Sequence, residues 1–146
     1  MRHALHRDAV CLLAAFCAHN IEEALTYQAY RDRAGAVLVS IVGQPIDAPS
    51  AYAFRTALAV VSLAALALTL WVVSRPPAPG PQRAVRGFAA ILLANVMVPH
   101  VPAALLFGGY APGVGTALAI NLPLAVFVLR RRDNNRKQVA GVDVDG

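Results

Sequence analysis

Long apolar stretches alternate with short polar ones along this chain of 146 residues. Four of them, at about 9–28, 52–74, 87–107 and 114–129, approach the roughly 20 residues that a helix needs to cross a hydrocarbon core. The pattern predicts an all-α integral membrane bundle of about four transmembrane helices, forming one domain over 1–132. A polar tail at 133–146 reads as disordered. The breaks are of several kinds. Residues 36–42 are apolar but too few to cross a bilayer, and Gly43-Gln44-Pro45 follows them, so they read as an interfacial or re-entrant piece. Arg75-Pro76-Pro77-Ala78-Pro79-Gly80-Pro81 reads as a non-helical loop, because its prolines remove backbone donors. Pro99 and Pro102 kink the third span around His100, and Gly108 to Gly113 form a tight hairpin turn before the fourth. The run from Ala9 reads as a retained span rather than a cleaved signal, since acids follow it and Asp8 interrupts its basic flank.

Composition sharpens the class. Hydrophobic residues make up 58% of the chain and charged ones 14%, which excludes an ordinary soluble domain. The net charge of +5 would suit a nucleic-acid partner if it formed a patch, but the basic residues flank the apolar runs. No nucleic-acid partner is expected. Arg2, Arg7, Arg75, Arg83, Arg86, Arg130, Arg131, Arg132, Arg136 and Lys137 fall on one side of a four-span arrangement, against Arg31, Arg33 and Arg55 on the other. By the positive-inside rule both termini are cytoplasmic, and the protein sits in the cell membrane. Arginine-rich usage with a single lysine matches a chain encoded in GC-rich bacterial DNA. Cys11 and Cys17 are six apart in the first apolar run and match no redox or zinc spacing.

The chemistry lies in the polar residues inside the spans. His19, Glu22 and Glu23 interrupt the first, at spacings that place His19 one helical turn from each acid. An acid at mid-membrane costs roughly 2.5–3.5 kcal/mol, whereas each large apolar residue returns about 0.3–0.6 kcal/mol. The segment therefore needs partners: a proton, groups on other helices, or a cation. Counting about 1.5 Å per residue from the basic side, His19 lies about 15 Å deep, Glu22 and Glu23 about 20 Å, Asn95 about 12 Å and His100 about 20 Å. Asn121 lies about 12 Å from the opposite edge. One polar cluster between the first, third and fourth spans accounts for all of them.

His19-Asn20-Ile21-Glu22-Glu23 resembles the signature of the HXXEE family, small multi-span membrane proteins named for that motif. Tyr110-Ala111-Pro112-Gly113 with Thr116-Ala117 is similar to that family's later Tyr-x-Pro-Gly turn. The resemblance covers most of the chain and implies the architecture and the choice of site residues. It implies no reaction, because the family's activity is unassigned.

Three function classes fit these residues. In the first, His19, His100 and one or both of Glu22 and Glu23 bind a divalent metal, zinc or iron, in a membrane-embedded enzyme acting on a lipid-like or isoprenoid substrate. A glutamate not bound to metal then serves as catalytic acid or base, and Asn95 and Asn121 support the ligands. In the second, the same residues carry protons or ions through a small carrier. In the third, the cluster only holds together a structural partner subunit: the acids pair across helices, His100 bonds a carbonyl freed by proline, the asparagines bridge helices, and Tyr110 anchors at the interface. No nucleotide loop, CxxC, GxSxG or zincin helix is present.

Overall fold

A computed structural model of the chain describes residues 2–43 and 48–131. The described residues form helices joined by turns and short irregular connections, without strands: α1 (Arg2–Val42), α2 (Ala51–Val73), α3 (Pro79–Asn95), a π-helical turn (Val96–His100), α4 (Val101–Phe107), α5 (Val114–Thr116) and a second π-helical turn (Ala117–Asn121) that continues as helix to Arg131. They make four helices long and apolar enough to cross a membrane, at Arg2–Arg33, Ala51–Val73, Pro79–Phe107 and Val114–Arg131. The protein is a membrane protein. The tail at 133–146 lies outside the described residues.

Two expectations about boundaries are corrected. The segment at 36–42 is no separate interfacial or re-entrant piece but the continuation of α1, which runs unbroken through Arg31-Asp32-Arg33. No proline interrupts the chain between Tyr27 and Val42, and a helix leaving the bilayer can carry charge. The helix stops at Gly43, whose φ of +73° is the left-handed conformation of a helix end and whose N–H bonds the Val39 carbonyl at 2.8 Å. The proline segment is likewise not wholly a loop, since α3 begins at Pro79. A proline in the first turn loses nothing, because the N–H groups there have no carbonyl partner within the helix.

Ser50 starts the second span by accepting the Ala53 N–H on its hydroxyl at 3.1 Å. The chain between the first two spans is tied down by α1, where Tyr27 Oη and Arg31 Nε donate to the Pro49 carbonyl at 2.9 and 3.2 Å. Asn20 Nδ2 donates to Ser62 Oγ at 2.8 Å, fastening the first span to the second.

At the end of the bundle that holds both described chain ends, all four spans meet in an apolar core built from Leu5, Ala9, Leu12, Ala65, Val72, Phe88, Leu92, Ala125 and Val128. Small residues there let the backbones approach. Arg131 Nη1 lies 3.4 Å from the buried Asp8 Oδ1, pairing the start of the first span with the end of the fourth. Leu25 and Leu105 are 74% and 77% exposed, as lipid-facing residues are. In the other half the third span breaks: Val98 leaves helical geometry at φ −144°, ψ 114°. The predicted hairpin follows, with Gly108 and Gly113 at φ +66° and +77°.

Candidate metal centre

The break in the third span and the hairpin after it bring three helices together around His19. On a regular helix Asn95 and His100, five positions apart, would point about 140° from one another. With Val98 out of helical geometry, Asn95 Nδ2 lies 3.2 Å from His100 Nε2 and 3.0 Å from His19 Nε2. The two imidazoles meet edge to face with their centroids 4.5 Å apart. Glu23 Oε1 lies 3.8 Å from His19 Nε2 and 3.5 Å from His100 Nε2. One ligand atom from each of His19, Glu23 and His100 falls within 4.8 Å of the other two.

Hydrogen-bond partners assign the ring protons. The Pro112 carbonyl can only accept, so His100 Nδ1, 3.0 Å away, carries the hydrogen. Thr116 Oγ1 donates to the Glu22 carboxylate at 2.5 Å, which leaves its oxygen to accept from His19 Nδ1 at 3.1 Å. Both Nε2 atoms are therefore bare lone pairs, and they face the same point as Glu23 Oε1. Both rings are buried, while the Glu23 side chain keeps 14% of its surface exposed.

Glu22 is turned elsewhere. Its carboxylate takes N–H donors from Gly115 at 3.2 Å and Thr116 at 2.7 Å, the Thr116 hydroxyl and the Tyr110 hydroxyl. Gly115 and Thr116 lie in the first turn of the fourth span, whose free N–H groups and positive dipole end suit a carboxylate. Glu22 thus caps the fourth helix from the first. Partial burial and the bond to Glu22 push the Tyr110 phenol above its ordinary pKa, so it stays a donor. Its ring packs on Tyr30 at 5.5 Å, where the sequence pattern predicts only an interfacial anchor.

Asn121 is fully buried, and neither of its amide atoms has a hydrogen-bond partner among the described residues. The structure does not tie it to the cluster.

A family model described as a protein of unknown function with HXXEE motif matches residues 10–128. The chain belongs to the HXXEE-motif family. No curated protein and no solved structure matches it. The family's name spans His19, Glu22 and Glu23, and the geometry divides that motif: its first and last residues face the His100 ring, and its penultimate one holds the fourth helix.

Sequence reasoning about this HXXEE protein assigns no site role to four contributors, three of which it quotes as part of the later turn motif. Thr116 orients His19, Tyr110 holds Glu22, and two glycines make room. A Cβ at Gly113 would lie 2.6 Å from His19 Cε1, 2.7 Å from Glu23 Cγ and 2.9 Å from His100 Cε1, and one at Gly115 would lie 2.9 Å from Glu22 Oε1. The signal was the Tyr-x-Pro-Gly turn with its following threonine, which ends where a helix N-terminus must be.

Proposed function

We propose that the protein is a membrane-embedded, metal-dependent enzyme in which His19, Glu23 and His100 hold a divalent cation, zinc or iron. Its substrate would be lipid-like or isoprenoid. The observation that carries this reading is the convergence of two unprotonated Nε2 atoms and one carboxylate oxygen within 4.8 Å. Metal-ligating histidines almost always donate their other ring N–H to a carboxylate, a backbone carbonyl or water; His100 donates to the Pro112 carbonyl, and His19 reaches the Glu22 carboxylate through the Thr116 hydroxyl. Two imidazoles and one carboxylate suit zinc with a position left open, or non-haem iron. The cation would supply Lewis-acid polarisation of a bound oxygen.

Within this reading the side chains divide the work. Glu23 is the ligand with an accessible edge, so substrate approaches over it. Glu22 has its oxygens filled by donors and positions His19 through Thr116 instead of moving protons. A site set among helices long and apolar enough to span a membrane favours a substrate dissolved in the bilayer. The excess of arginine on the side of both described chain ends supports their cytoplasmic placement in the cell membrane.

The test is the metal content of detergent-purified protein against His19→Ala and His100→Ala. About one equivalent of zinc or iron is expected in the wild type and none in the variants. Metal-free wild-type protein that retains its cellular function would end this reading, and would favour a carrier that uses the same residues for protons.

A further inference from the structure

We infer that Asn95 is a fourth ligand held in reserve: its amide now stands between the two imidazoles, and turns over to give Oδ1 to the bound cation. This rests on the metal reading of His19, Glu23 and His100. Both Nε2 atoms present lone pairs, and Glu23 adds a carboxylate oxygen beside them, so the three atoms repel one another unless something positive lies between. Between the two imidazoles that group is the Asn95 amide nitrogen, with one hydrogen for each Nε2 at 3.0 and 3.2 Å. It lies beside the point where a cation would meet both imidazoles, and turns its positive end toward that point.

A zinc ion sits about 2.0–2.1 Å from each imidazole nitrogen. An N–H donor cannot remain pointed at it, but an amide carries a donor and an acceptor at nearly the same distance from Cγ. A half-turn about χ2, a soft two-fold torsion, puts Oδ1 where Nδ2 was without moving the backbone. The break at Val98 is independent support, because it brings residue 95 onto the same spot as His100, which a continuous helix would not do. The set becomes two imidazoles, a carboxylate and an amide oxygen, with a fifth position over the accessible edge of Glu23 for water or substrate.

The experiment loads purified wild-type, Asn95→Ala and Asn95→Asp proteins with Co(II) and reads both affinity and the visible d–d bands. Asn95→Ala should bind about 10-fold to 100-fold more weakly with shifted bands, since water must replace the amide. Asn95→Asp keeps the shape, so it tests the idea even if the alanine variant misfolds; with a charged oxygen in the same place it should bind at least as tightly as wild type, again with shifted bands. Unchanged bands in both variants, with wild type binding normally, would overturn the fourth-ligand role and leave the triad standing. Failure of wild type itself to bind Co(II) would overturn both.

Discussion

His19 and Glu22 lie one turn apart on the first span, yet their side chains are joined through a third residue from the fourth. Thr116 Oγ1 accepts from His19 Nδ1 at 3.1 Å and donates to Glu22 Oε2 at 2.5 Å. The orientation of a buried imidazole thus depends on how a neighbouring helix begins. If this link sets the direction of the His19 lone pair, Thr116→Val should reduce metal affinity by about 10-fold to 100-fold, and Thr116→Ser should restore most of it. Isothermal titration with zinc measures both. Equal affinity in the valine and serine variants would show that the hydroxyl is not needed.

The two glutamates should respond differently to the same change. Glu23→Gln replaces a charged ligand oxygen with a neutral amide, and bound metal should be lost. Glu22→Gln leaves the triad intact but turns an amide N–H₂ toward donors that need an acceptor, so metal should be retained while thermal stability falls. Metal analysis and a melting curve on each variant separate the roles. Identical metal loss in both would place Glu22 in the metal site with Glu23.

Gly113 is the tightest position around the site. Its φ of +77° disfavours any side chain by about 1–2 kcal/mol, and a Cβ would press on His19, Glu23 and His100 together. Gly113→Ala should therefore abolish metal binding. Gly109→Ala, where a Cβ meets nothing within 4 Å, is the matched control and should bind normally.

How much of this was legible in the sequence follows from the kind of information each residue carries. Depth was readable: polar groups within apolar runs must share a level, and His19, Glu23, Asn95 and His100 do come together. Azimuth was not. Glu22 and Glu23 differ by about 100° around the helix, and only the position of the fourth helix N-terminus decides that one caps it and the other joins the imidazoles. Asn121 shows the same limit, for its depth suits the cluster while the structure gives its amide no partner there. The end of the first helix was misplaced because Arg31-Asp32-Arg33 marks where apolar character stops, whereas the helix itself continues to the left-handed Gly43.

Orientation in the membrane can be tested with the same structural detail. The helix α1 has 41 residues, about 60 Å of rise against a hydrocarbon core about 30 Å thick, so its last turns stand well beyond Arg33. Val39 is exposed there, and Arg130 is exposed at the opposite end of the bundle, beside the Asp8–Arg131 pair. In protein with Cys11 and Cys17 replaced by alanine, Val39→Cys should react with a membrane-impermeant maleimide on intact cells. Ala78→Cys, just before the third span, and Arg130→Cys should react only after permeabilisation. The arginines set the expected direction: each one carried outward would have to cross the bilayer, and among the described residues seven lie on the side of the chain ends against three on the other. Labelling of Arg130→Cys but not Val39→Cys on intact cells would invert the protein, while labelling of both would break the pairing of the first and fourth spans that Asp8 and Arg131 enforce.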